Sequence, residues 1–301
     1  MAGIRGVVAA IATPVDERLE PDREMLLRHA RWLLANGCDG LNVLGTTGGF
    51  ASFSVAQRMS VMKALASSDL PPQALMVGTG AAALRDAVEL TRAAVRFGFA
   101  GALVIPPFYY KNVSDDGVFA YVADLIERVG EDGLRLYLYN FPAMSGVAFT
   151  PSLVGRLVAA YPSIVIGLKD SSNDADYVAA LHRKLPQFDI FPSSESVLAT
   201  ARRAGYAGCI SATVNVTAPL AARVWNGAGG SETEALQAEL AEIRTAISAV
   251  PLIPAVHHLI ADLHGDERWS RLSPPLHPLT LEERAALRGS LQRTTYAAVA
   301  L

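Results

Sequence analysis

Cysteine, lysine and long hydrophobic stretches are scarce in this chain of 301 residues, and each scarcity removes a class of protein. Cys38 and Cys209 stand alone with no CxxC spacing, so neither a disulfide framework nor a zinc cluster is expected, and both read as reduced, buried structural thiols. Basic runs are absent and the net charge is −3, which argues against nucleic acid, whose partners normally show clustered Lys and Arg. The apolar opening Met1 to Ala12 is too short for a signal core or a membrane span, so no membrane partner and a cytoplasmic location are expected. The histidines do not cluster as ligands: His257 and His258 are adjacent on a helix-like stretch with His264 further along, so no metal is expected. Small molecules are the remaining class of ligand.

What the chain does contain is a repeated alternation. Eight short apolar, β-rich runs recur: Gly6 to Pro14, Gly40 to Gly45, Ala74 to Gly80, Gly101 to Pro107, Arg135 to Asn140, Ile164 to Asp170, Asp189 to Glu195 and Gly208 to Asn215. Segments with helical spacing separate them, such as Leu26, Ala30, Leu33 and Leu34, or Asp86 to Phe97. Strands apolar on both faces, Val7 to Ile11 being typical, suit a parallel sheet covered on both sides. Eight such units predict a (β/α)8 TIM barrel, with a doubly wound open sheet as the alternative. After the eighth run, Ser231-x-x-Glu234 reads as a capping box followed by Leu236, Leu240, Ile243 and Ile247 at helical spacing. Further helices are expected over Leu252 to Leu263 and, after a Thr280-x-x-Glu283 cap, over Leu281 to Ala297. The resulting division is a catalytic barrel over residues 1–220 and a C-terminal helical extension over residues 221–301.

Chemistry in such barrels sits where strands end. Strand two ends in Gly45-Thr46-Thr47-Gly48-Gly49, strand four in Pro106-Pro107-Phe108-Tyr109-Tyr110, strand five in Tyr139-Asn140-Phe141-Pro142, strand six in Lys169-Asp170 and strand seven in Ser193-Ser194-Glu195. Of the four lysines, Lys63, Lys111 and Lys184 read as solvated, whereas Lys169 closes a buried-looking run. A desolvated lysine loses its proton more readily than an exposed one, which makes an amine nucleophile; a strand-end lysine snorkelling into solvent is the bland alternative. The glycine-rich turn offers amides and hydroxyls to a carboxylate, or is simply a tight connection. Tyr139 alone would read as core filling.

In this order, Gly45-Thr46-Thr47-Gly48, Tyr139-Asn140-x-Pro142 and Gly167-x-Lys169 resemble the dihydrodipicolinate synthase/N-acetylneuraminate lyase family, over about Gly6 to Val216. The resemblance implies a class I aldolase in which a lysine condenses with the ketone of pyruvate or a larger 2-oxo acid, needing no cofactor. It makes Lys169 the Schiff-base residue and Tyr139 the acid/base phenol. Thr46, Thr47 and the Gly48 turn would hold the carboxylate, and the Ile210 backbone would line the pyruvate pocket. Tyr110 matches a tyrosine that similar proteins lend across a tight dimer to complete a Tyr139–Thr46–Tyr110 relay, and the family implies a homotetramer built as a dimer of dimers.

Substrate choice rests on departures from the pattern. Synthases that use aspartate semialdehyde usually carry an arginine where this chain has Met144, and a thioether cannot grip a carboxylate. The segments Pro142 to Val147 and Pro107 to Tyr110 look more like sialate lyases and sugar-acid aldolases. Ser171 and Glu195 are the expected contacts to substrate hydroxyls, although Ser196 and Ala212 depart from the sialate lyases, Gly49 replaces a usual glutamate and Ser193 a common glycine. A pyruvate-forming or pyruvate-using aldolase acting with an aldehyde partner is the resulting expectation. Two other readings are a non-catalytic 2-oxo-acid-binding barrel and, from the G-x-G-x-x-A imitation in Val77 to Ala83, a dinucleotide site that lacks its downstream acidic residue.

Overall fold

Each apolar run forms a strand, shorter than the run that signals it. The computed structural model describes residues 3–296. Its strands are β1 (Gly6–Ala10), β2 (Gly40–Val43), β3 (Leu75–Gly78), β4 (Gly101–Val104), β5 (Leu136–Asn140), β6 (Val165–Asp170), β7 (Asp189–Pro192) and β8 (Gly208–Ser211). They pair in parallel in the order β7-β6-β5-β4-β3-β2-β1-β8. An Ala207 N–H to Ile190 carbonyl bond of 2.9 Å links the two ends, so the sheet is a nearly closed barrel.

Helices α1 (Arg23–Ala35), α2 (Val55–Ala66), α3 (Leu84–Arg96), α4 (Asp115–Val129), α5 (Pro142–Ser145), α6 (Pro151–Ala160), α7 (Ala175–Lys184), α8 (Leu198–Arg203) and α9 (Val214–Asn226) follow the strands. Polar N-caps start many of them: Asp22, Ser54, Ser114, Thr150 and Asp174 each accept an amide from the first turn. Alternate strand residues face these helices, as with Leu41, Val43 and Cys209, or Leu136, Leu138 and Leu168. The others fill the interior with Val8, Ala10, Met76, Leu103, Tyr137, Tyr139, Phe191 and Ile210. Tyr137 fits there because glycines flank it: a Cβ at Gly101 or Gly167 would stand 2.6 Å from its ring.

Register fixes heights in this interior. Lys169 pairs with Tyr139, Leu103 with Gly78, and Asn42 with Met76. With the offset of about one residue per strand that a shear of eight imposes, Asn42, Leu103, Lys169 and Ile210 fall in one layer, one from each even-numbered strand. Tyr139 stands just above it.

Beyond the barrel lie α10 (Gly230–Ile247), α11 (Leu252–His264) and α12 (Leu281–Leu291). The predicted boundary between residues 220 and 221 cuts through α9, so the extension begins instead at α10. Asn215 belongs to α9 and not to the eighth strand, because the backbone turns into the helix there, the Asn215 N–H donating to the Ala212 carbonyl (3.2 Å) and the Val216 N–H to the Thr213 carbonyl (2.9 Å). The Ser231 box does not form: the helix starts two residues earlier from Gly229, whose N–H donates to Thr233 Oγ1 (3.1 Å). The Thr280–Glu283 box does form. Its helix stops at Leu291, and the expected end at Ala297 lies outside the described residues. No single helix among the described residues is long and apolar enough to cross a membrane.

Candidate active site

Strand pairing sets Lys169 beside Tyr139 on the barrel interior. Both are 4% exposed, and the lysine Nζ lies 4.4 Å from the centroid of the phenol ring. Among the described residues no hydrogen bond or ion pair engages the ammonium. A π face compensates a buried cation far less than a carboxylate would. The Tyr139 hydroxyl continues outward to Thr46 Oγ1 at 3.2 Å, and either oxygen can donate.

Neighbouring strand ends hold this pair in place. Asn140 Nδ2 donates to Asp170 Oδ1 (2.7 Å), while the Phe149 N–H donates to Asn140 Oδ1 (3.0 Å). Ser172 donates to Asp170 Oδ2 through its hydroxyl (2.9 Å), and the Ser171 N–H donates to the Asn140 carbonyl (2.8 Å). Burial raises the Asp170 carboxyl above its ordinary range, against the lowering effect of the Asn140 and Ser172 bonds. Residues on the outer face of β5 and β6 thus lock the register that aligns Lys169 and Tyr139 inside.

The turn after β2 is wedged between other backbones. Leu44 takes φ 54°, a left-handed conformation that costs a non-glycine residue roughly 1–2 kcal/mol. Gly78 admits it, since a Cβ there would stand 2.1 Å from the Leu44 carbonyl oxygen. A Cβ on Gly48 would meet the Ile11 carbonyl at 3.0 Å and Thr13 Oγ1 at 3.1 Å. Gly49, at φ 67°, closes the turn with its N–H on the Thr46 carbonyl (3.1 Å). Among the described residues the Thr46, Thr47 and Gly48 amides have no internal acceptor, the arrangement that suits an anion. Thr47 is buried and Thr46 half-buried.

Ile210 is fully buried in the interior, and Ser171 is buried above Lys169. Tyr110 is not brought to the pair: it is 72% exposed and its ring packs edge-on against Tyr109, with centroids 5.4 Å apart. Met144, 62% exposed on α5, stands on the rim. Lys111 is not simply solvated, because its ammonium donates to the Ser145 carbonyl (2.9 Å) and to the Phe108 carbonyl, tying the loops after β4 and β5 together.

Glu195 departs most from expectation. Its carboxylate is fully buried outside the barrel, accepting from Ser211, Thr213 and Thr217 hydroxyls, with Arg244 of α10 at 3.4 Å. These partners saturate it and join β8 and α9 to α10, so it offers nothing to a ligand at the mouth. Arg244, itself bonded to Ser211 Oγ (2.9 Å) and Thr213 Oγ1 (2.8 Å), carries no signal in sequence beyond its place on a helix.

The glycine pattern in Val77 to Ala83 has a packing cause: Gly78 abuts Leu44, and a Cβ on Gly80 would stand 2.7 Å from Ile105. Thr79 and Thr91 share a 2.7 Å hydroxyl bond beneath it. Both cysteines are buried, and burial raises both thiols above their ordinary value.

A family model described as the dihydrodipicolinate synthetase family matches residues 3–294. An uncharacterized DapA-like lyase of Chloroflexus aurantiacus is 35% identical over 97% of this chain and 98% of its own length. An N-acetylneuraminate lyase of Salmonella paratyphi B is 32% identical over 71% of this chain and 70% of its own. Among solved structures, dihydrodipicolinate synthase from Agrobacterium tumefaciens superposes with a TM-score of 0.89 at 29% identity, covering 96% of this chain and 99% of that one.

Proposed function

The chain belongs to the dihydrodipicolinate synthetase family, and from that membership we propose that it is a Schiff-base-forming aldolase that cleaves or builds a hydroxylated 2-oxo acid, with pyruvate as product or donor. The Lys169 amine attacks the ketone carbon and water leaves, giving a protonated imine. That imine accepts the electron pair when the C3–C4 bond breaks, so an aldehyde departs and an enamine remains. The enamine takes a proton at C3, and water hydrolyses the imine to release pyruvate and restore the amine. Tyr139, through Thr46, moves the proton lost from the substrate's C4 hydroxyl. The Thr46, Thr47 and Gly48 amides and hydroxyls hold the carboxylate, and the Ile210 backbone and Ser171 border the bound acid.

The observation that carries this reading is the buried, uncompensated Lys169 amine over the Tyr139 ring, whose hydroxyl meets Thr46. The substrate class is a 2-keto-3-deoxy sugar acid or a sialate-like acid. Met144 supports it, because the rim carries a thioether where a second carboxylate would need a cation. A partner subunit's Tyr110 completes the relay within a homotetramer. Release of pyruvate from a panel of 2-keto-3-deoxy sugar acids and sialic acid, set against condensation of pyruvate with aspartate semialdehyde, tests the assignment. Sugar acids should turn over best; preference for aspartate semialdehyde would overturn the substrate class.

A further inference from the structure

Asn42 is a polar residue in an apolar layer. It lies on β2 with zero exposure, and both its amide nitrogen and its amide oxygen lack a hydrogen-bond partner. Burying a carboxamide with both ends unpaired is costly, and such groups are kept where something else meets them. An apolar side chain there would suit the neighbouring Ala10 and Met76.

Its position says what meets it. Register sets Asn42 at the height of Lys169, across the barrel, with Leu103 and Ile210 between them. Its head lies beneath the anion-suited turn, where a Cβ on Gly45 would stand 2.5 Å from Asn42 Oδ1, and because neither end is held by a hydrogen bond the carboxamide can turn to present Nδ2–H to an anion there. The carboxamide therefore forms part of the floor between the amine and the Thr46–Thr47 turn.

We propose that Asn42 is a further substrate-binding residue, whose Nδ2–H donates to the carboxylate of the 2-oxo acid from below while the turn binds it from above. This rests on the Schiff-base reading of the same site. A carboxamide donor to an ionised acceptor is stronger than a neutral pair, and it selects a carboxylate over an uncharged ketone.

The test is borohydride trapping of the full-length chain with increasing pyruvate, read as the mass adduct, for the unsubstituted protein, Asn42→Leu and Asn42→Asp. The expected result is an adduct with all three and the same plateau, but a half-saturating pyruvate concentration raised roughly tenfold to a hundredfold in N42L. In N42D, which keeps the shape but replaces the donor with an acceptor, the rise should be at least as large. The melting temperature of N42L should hold or increase, since an unpaired amide is removed, whereas a purely structural role would lower it. Half-saturation unchanged in both variants would overturn the proposal and leave Asn42 a site for water alone. No adduct in the unsubstituted protein would overturn the Schiff-base reading, and this proposal with it.

Discussion

At the residue scale, a buried cation without a carboxylate is a liability in folding and an asset in chemistry. Lys169→Met should therefore abolish pyruvate release while leaving the melting temperature unchanged or higher, as calorimetry would read. A clear loss of stability would mean the ammonium has a structural role instead. Tyr139→Phe keeps the ring under Lys169 but removes the hydroxyl that meets Thr46. Turnover should fall roughly a hundredfold to ten-thousandfold, with pyruvate trapping retained. Lys169, Tyr139 and the two threonines are legible in sequence because each ends a strand with a side chain out of keeping with the apolar run before it. Asn42 is hidden within its run, and only register and an absent hydrogen-bond partner bring it forward. Glu195 misleads for the converse reason: it follows a strand end, yet a single 3-10 turn over Glu195–Val197 carries its side chain outward to Arg244.

At the element scale, alternation of apolar runs and helical spacing locates all the strands, because a sheet covered on both faces must be apolar along its length. The ends are less legible, since the runs continue into turns that are also buried, as at Leu44 and Ala212. Two similar capping patterns end differently: Thr280 caps α12 with Glu283, whereas Ser231 lies within α10 because Gly229 and Gly230, both at positive φ, turn the chain earlier. Thr280→Ala should cost about 1 kcal/mol. The polar contact of α10 with the barrel centres on one buried carboxylate, beside apolar packing by Leu240 and Ile243 and the Gln237 bond to Ala199. Glu195→Ala would leave the Arg244 charge without its carboxylate, held only by the Ser211 and Thr213 hydroxyls, and should destabilise the chain by about 3–5 kcal/mol in denaturant unfolding. A loss under about 1 kcal/mol would show that the network is replaceable by water.

At the scale of the whole molecule, buried histidines tie the barrel to its helical extension. Asn215 Nδ2 donates to the Ala10 and Ala212 carbonyls, so its Oδ1 must accept from His29 Nε2 (3.1 Å). His29 Nδ1 is then the acceptor for His264 Nε2 of α11 (2.9 Å), which requires His29 to be neutral. Burial lowers His29 from 6.5 to about 3, and lowers His257, bonded to the Trp269 carbonyl, to about 4. The unfolded chain takes up these protons near pH 6.5 while the folded chain resists, so their stabilisation is complete above that value and declines as pH falls below it. Each contributes a slope of up to about 1.4 kcal/mol per pH unit. Burial raises Asp39, Asp170 and Asp189, which act in the opposite sense between their ordinary value of 3.8 and the raised one. The melting temperature should be level above neutrality and fall from about pH 6 downward, and a level profile to pH 5 would contradict the neutral assignment.

With Tyr109 and Tyr110 exposed, the proposed relay needs a tyrosine from a second chain. Light scattering should find the active species to be an oligomer, and Tyr110→Phe should slow turnover without preventing imine formation. The central claim remains a covalent bond between one amine and a ketone carbon. Peptide mapping after treatment with pyruvate and borohydride tests it most directly: the reduced pyruvyl mass should be found on the peptide that carries Lys169. An adduct on Lys63, Lys111 or Lys184 instead, or on no lysine, would contradict it.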